Sequence, residues 1–149
     1  MKECREVTTP MEAGFNADTK EIIKVPYKEL IGSLLFISSN SRPDITFAIS
    51  YLSRFLDKPT EGVWKAAKRV MRYLKGTKEK SLIYRRRISQ DLTTFSDADW
   101  ASDKIDRKST SGCAVFYAGK LISWYSKKQA SVALSTAEAE YLDGALAVC

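Results

Sequence analysis

Leu74-Lys75-Gly76-Thr77-Lys78-Glu79-Lys80-Ser81-Leu82-Ile83-Tyr84 is the stretch at which the chain changes from helical to extended character. Just upstream, Trp64, Ala67, Met71 and Leu74 recur at helical spacing, while Lys65, Lys68, Arg69, Arg72 and Lys75 fall on another face. That pattern predicts an amphipathic helix with one side against a core and one side presenting cations. Thr60 is placed to cap its start, and Gly76 suits a left-handed residue just past its end. Just downstream, Ser81-Leu82-Ile83-Tyr84 is a short strand candidate, followed by Arg85-Arg86-Arg87 as a basic linker.

Further toward the N-terminus two more helices are predicted. Tyr27, Leu30, Ile31, Leu34 and Leu35 share one face of the first. Pro43 breaks the chain after it, because the residue before a proline is pushed away from helical geometry. Ile45, Ala48, Ile49, Leu52 and Phe55 or Leu56 mark the second, which Asp57-Lys58-Pro59-Thr60 ends. Residues 1–26 are polar, carry Pro10 and Gly14, show no sustained periodicity, and read as a flexible tail. Toward the C-terminus, Leu92-Thr93-Thr94-Phe95-Ser96 runs as a strand into Asp97-Ala98-Asp99. Residues 112–117 and 121–125 are two further strands, with Ala118-Gly119-Lys120 fitting a tight hairpin turn between them. Ser135 or Thr136 can cap a last helix carrying Glu138, Glu140, Leu142, Leu146 and Val148. Helices, then strands, then one more helix make the expected class α+β.

Charge narrows the functions. The chain carries a formal +6, yet the excess sits in one place: residues 65–90 hold ten basic groups and one acidic. Such a stretch is either an electrostatic footprint for phosphates or a solvated helix face with a charged linker. There is no histidine, and Cys4, Cys113 and Cys149 lie far apart, which argues against a zinc site and a disulfide framework. The expectation is free thiols in a reducing compartment. No apolar run approaches bilayer-spanning length, so no membrane partner is expected. The start of the chain lacks the apolar core of a secretory signal, giving a cytoplasmic or nuclear expectation.

Chemistry could sit on two pairs of carboxylates. Asp97 and Asp99 end a strand, and Glu138 and Glu140 open the following helix. A strand aspartate and a helix glutamate can converge on a hard cation such as Mg²⁺. Acidic residues also gather at helix starts and turns for purely structural reasons. No phosphate-cradling glycine loop is present, and with no histidine the serines lack the usual activating base.

The motifs then fall into a known order. Tyr27-Lys28-Glu29-Leu30-Ile31-Gly32-Ser33-Leu34-Leu35 comes first, then Ser41-Arg42-Pro43-Asp44-Ile45 with Phe47-Ala48. Trp64-Lys65-Ala66-Ala67-Lys68-Arg69-Val70 and Arg72-Tyr73-Leu74-Lys75-Gly76-Thr77 follow. Then come Ser96-Asp97-Ala98-Asp99-Trp100-Ala101, Asp106-Arg107-Lys108-Ser109-Thr110-Ser111-Gly112, Ile122-Ser123-Trp124 with Ser126-Lys127-Lys128-Gln129, and Ser135-Thr136-Ala137-Glu138-Ala139-Glu140-Tyr141. In sequence and spacing this resembles the copia-type retrotransposon polyproteins.

The resemblance implies a helical reverse-transcriptase tail over 27–90, thumb- or connection-like, and a truncated RNase H-like α/β domain over 91–149 with three antiparallel strands and the first helix. In that family, carboxylates hold two Mg²⁺ ions that cleave the RNA strand of an RNA–DNA hybrid. By resemblance Asp97 and Glu140 are the vestigial catalytic residues and metal ligands, with Asp99 and Glu138 beside the site or on the surface. Cys113 stands where a tyrosine is usual, and Asp143 where a small residue is usual. The remaining carboxylates would lie beyond Cys149, so the expectation is an incomplete site, no metal held and no useful nuclease activity. What is left is weak electrostatic binding of an RNA–DNA hybrid or other nucleic acid, through Lys65, Lys68, Arg69, Arg72, Lys75, Arg85, Arg86 and Arg87. Short copia-like chains are also similar to secreted RxLR effectors of plant-pathogenic oomycetes, which act inside host cells on cell death or defence. That alternative has Arg72-Tyr73-Leu74-Lys75 as a degenerate motif, host plant proteins as partners and secretion into the host cell as location.

Overall fold

In the computed structural model the protein is described at residues 4–17, 22–86, 91–103 and 106–148. It is α+β and divides into two compact units, Met1–Ser81 and Leu82–Cys149.

The first unit is helical: α1 (Tyr27–Asn40), α2 (Thr46–Leu52) and α3 (Glu61–Gly76), with one 3₁₀ turn at Pro43–Ile45 and another at Ser53–Phe55. Its core is Tyr27, Ile31 and Leu34 of α1, Ile45, Ala48, Ile49 and Leu52 around α2, and Val63, Ala66, Ala67, Val70 and Tyr73 of α3. Tyr27 is fully inside, so its hydroxyl needs a partner and donates to the Leu52 carbonyl at 2.9 Å. Burial also pushes that phenol well above its ordinary pKa. The α3 core stripe differs from the expected one. Val63, Ala66, Ala67, Val70 and Tyr73 are buried, whereas Trp64, Met71 and Leu74 lie only partly covered at its margin. The expected stripe is offset from the true one, which takes in Val63, Ala66 and Val70 together with the large Tyr73.

Thr60 caps α3 as expected, accepting from the Val63 N–H at 3.4 Å. Gly76 does not end the helix in left-handed geometry; it is the last helical residue, and a β-carbon there would come within 3.1–3.4 Å of the Glu6 side chain. The N-terminal region differs from a free tail too. Val7, Met11 and Phe15 pack against the helical core, and Phe15 meets Tyr51 edge-on at 6.0 Å. A turn at Gly14 (φ 67°), closed by the Phe15 N–H on the Glu12 carbonyl at 3.2 Å, directs that segment along α3. Ile22 then bridges Thr60.

Ser81–Tyr84 is irregular rather than a strand. The second unit is a meander of β1 (Leu92–Asp99), β2 (Thr110–Tyr117) and β3 (Lys120–Lys128), antiparallel in the order β1-β2-β3, with α4 (Thr136–Val148) packed on β1 and β2. The hairpin turn falls where expected: Ala118 and Gly119 both have positive φ, 51° and 72°, the primed geometry that suits two-residue hairpins. Ser135 caps α4, its Oγ accepting from the Glu138 N–H at 3.2 Å, while Glu138 Oε2 reaches back to the Leu134 N–H at 2.7 Å. This reciprocal pair is close to a capping box and gives Glu138 a structural job.

Candidate nucleic-acid interface and carboxylate pair

The basic residues of α3 point away from its core stripe, as helical geometry requires, but several are engaged. Lys65 pairs with Glu61 one turn back at 2.7 Å, and Lys68 Nζ lies 5.5 Å from the centre of the Trp64 ring. Arg69 Nη1 donates to Glu12 Oε1 at 2.8 Å and its Nη2 to Thr9 Oγ1 at 3.0 Å. Lys75 Nζ donates to the Cys4 carbonyl at 2.9 Å. Arg72 lines a pocket beside Lys65 and Arg69. Glu12 and Thr9 are partners that sequence reasoning missed, because they stand 57 and 60 residues from Arg69. Arg85 and Arg86 are exposed and belong to the second unit, so the basic stretch is divided between two bodies; Arg87 lies outside the described residues.

Tyr73 stands apart from its neighbours in Arg72-Tyr73-Leu74-Lys75. It is 4% exposed, and its hydroxyl donates to Asp44 Oδ2 at 2.7 Å. The four residues are therefore turned to different sides of a helix and are not displayed as a linear motif. Asp44 belongs to a clamp between the α1–α2 connection and the end of α3. Arg42, 8% exposed, donates through Nε and Nη2 to both Asp44 oxygens at 2.9 and 2.7 Å. It also donates to the Thr77 carbonyl at 3.1 Å and the Thr77 hydroxyl at 2.6 Å. Burial alone would raise the Asp44 carboxyl, but the bonds from Arg42 and Tyr73 hold it below the ordinary carboxylate value.

In the second unit, Asp97 on β1 and Glu140 on α4 are both exposed. Asp97 is opposite Gly112 in the β1–β2 register, while Ser96 is opposite Cys113. Strand alternation therefore sends Asp97 and Asp99 to the side of the sheet away from Ser111 and Cys113. Ser111 and Cys113 lie toward α4: Gln129 Nε2 joins the Ser111 hydroxyl at 3.0 Å to the Ala139 carbonyl at 2.9 Å. Among the described residues no group of three or more Cys, Asp and Glu could hold a metal ion. Asp103 and Asp106 both pair with Lys128, at 2.6 and 2.7 Å, which accounts structurally for part of the Asp106–Gly112 motif.

The carboxylate that α4 does bury is Asp143, 1% exposed, with Oδ1 lacking a partner. Gln129 Oε1 is likewise buried and unpartnered, while Tyr125 Oη is buried beside the Cys113 thiol. Desolvation, and then the nearby Asp143 charge, raises the Cys113 thiol above its ordinary value. Cys4 and Cys113 are free thiols; Cys149 lies outside the described residues. No helix is long and apolar enough to cross a membrane among the described residues.

No family model and no solved structure matches the chain. Similar proteins are nevertheless clear. The secreted RxLR effector protein 161 of Plasmopara viticola is 42% identical over 118 residues, 79% of this chain and 83% of that protein. The retrovirus-related Pol polyprotein from transposon RE1 of Arabidopsis thaliana is 40% identical over 145 residues, 95% of this chain. That from transposon TNT 1-94 of Nicotiana tabacum is 38% identical over 152 residues, again 95% of this chain. The chain spans about a tenth of the length of these polyproteins, 10% and 11% respectively. Over nearly its whole length the chain is thus homologous to a segment of the retrovirus-related Pol polyproteins of copia-type transposons.

Proposed function

We propose that this chain is a retrotransposon Pol element that binds nucleic acid electrostatically and does not by itself cleave it. In this reading the helical unit is a reverse-transcriptase tail, and the β1–β3 sheet with α4 is the opening part of an RNase H-like domain. The observation that carries it is the organised cation face of α3, Lys65, Lys68, Arg69 and Arg72, within a Pol relative. Arg85 and Arg86 add exposed charge on the second unit. An RNA–DNA hybrid is the natural probe, and the location that follows is cytoplasmic or nuclear.

Binding of this kind releases counterions, so affinity falls linearly with salt on logarithmic axes. A Lys65→Ala, Lys68→Ala, Arg72→Ala triple variant is expected to flatten that slope by about 2 to 3. Salt-insensitive binding, or an unchanged slope in the triple variant, would sink the electrostatic reading. For the chemistry, Asp97 and Glu140 would be the Mg²⁺ ligands of the family's reaction, in which the metal activates water and steadies the leaving oxygen. Among the described residues no third carboxylate groups with Asp97 and Glu140, and two exposed ones do not confine a metal pair, so no Mg²⁺-dependent cleavage of the hybrid is expected. Cleavage that disappears in Asp97→Asn would reverse that conclusion.

A second reading rests on the extent of the Plasmopara viticola match, 83% of that protein. Under it the chain is a secreted effector acting on host plant proteins. Burial of Tyr73 weakens the case for Arg72–Lys75 as its motif. Expression in leaf tissue with a cell-death readout separates the two readings.

A further inference from the structure

The basic face of α3 is partly covered by the chain's own N-terminal segment. Between that segment and the helix lies a pocket of about 270 Å³, lined by Met11, Glu12 and Phe15 of the segment and by Lys65, Ala66, Arg69 and Arg72 of α3. Glu12 enters it and meets Arg69 through a single contact, Oε1 to Nη1 at 2.8 Å. The Arg69 Nε stays buried with no acceptor. A guanidinium is built for a bidentate partner, and a phosphate can offer oxygens to Nε and Nη together. With Lys65 paired to Glu61, the two carboxylates Glu12 and Glu61 against Lys65, Arg69 and Arg72 still leave this face positive.

We propose that residues 4–17 are a displaceable cover on this face. In it the Glu12 carboxylate holds the place of a phosphodiester group and gives it up when nucleic acid binds. The proposal rests on the nucleic-acid reading above. Its energetics favour reversibility: Glu12 is two-thirds exposed, so its ion pair is weak, and Val7, Met11 and Phe15 are only partly buried. The Thr9 and Cys4 contacts to Arg69 and Lys75 are polar bonds that a phosphate backbone can replace.

The test is a double-mutant cycle on the whole chain with a fluorescent RNA–DNA hybrid. Glu12→Gln is expected to bind about two- to fivefold more tightly at low salt, the range an exposed ion pair allows. Its salt slope is expected to stay close to that of the unaltered chain, because Arg69 meets a phosphate in both complexes once Glu12 has been displaced. In an Arg69→Ala background the same change is expected to do nothing. No gain from Glu12→Gln, or an equal gain with and without Arg69, overturns the proposal, since the effect would then be absent or only a change of net charge. Amide hydrogen exchange at residues 7–15 supplies a readout that does not need the hybrid. Faster exchange on adding inorganic polyphosphate supports the cover even where no hybrid binds, in which case only the nucleic-acid reading falls. Unchanged or slower exchange overturns the cover.

Discussion

Arg42→Ala is expected to destabilise the helical unit by about 3 kcal/mol, the cost of stripping one partner from a largely buried ion pair. The guanidinium bonds both oxygens of Asp44 and both the carbonyl and the hydroxyl of Thr77, so its loss strands several acceptors at once. Arg42→Lys is expected to restore little, because a single ammonium cannot copy the planar fork. Urea unfolding read through amide exchange in α1 and α3 reports on this unit alone. A loss below about 1 kcal/mol would mean the clamp is incidental. The pair also sets a pH dependence. Asp44 is held below its ordinary value, so over that window the unfolded chain binds more protons than the folded one. Its contribution is complete above the unfolded carboxylate pKa, about 4, and is lost as pH falls through the depressed folded value. Asp44→Asn should flatten this acid limb of the stability profile.

The second expectation runs the other way: Asp143→Ala should stabilise the sheet unit by about 1–3 kcal/mol. Asp143 is 1% exposed and one of its oxygens has no partner, so folding removes its hydration with little return. Alanine leaves a small void but restores the small side chain that the family resemblance leads one to expect at this position. With the carboxylate gone, Cys113 also loses one of the influences that hold its thiol unreactive. Thermal unfolding followed in the sheet unit checks the sign, and a clear loss of stability would show that Asp143 has a partner of its own in solution.

What was legible in the sequence was local. The caps at Thr60 and Ser135 and the turn at Ala118-Gly119 are each decided within four residues, and each is in place. What was illegible depends on partners far along the chain. Nothing near Tyr73 announces that Asp44, 29 residues away, will take its hydroxyl and draw the ring into the core. The N-terminal region looked free because Val7, Met11 and Phe15 are sparse, and only the folded α3 supplies the surface that binds them. The cation face was read correctly as a face, but charge counting treats every cation as available, and Arg69 is engaged by Glu12 and Thr9. Burial of a carboxylate was the least accessible to pattern reading. Asp97, Asp99, Glu138 and Glu140 stand at element ends, where a pattern shows them, while among the described residues the acidic side chain that α4 buries is Asp143, which no local signal marks.

Residues 81–86 carry no secondary structure, and Arg85 and Arg86 are exposed within them. A trypsin-like protease meets there the extended, accessible basic sites it prefers, whereas the arginines of α3 are held in a helix. Cleavage there would leave the α3 cations on one fragment and Asp97 and Glu140 on the other. Limited digestion thus asks whether each fragment keeps its fold once the covalent link is cut.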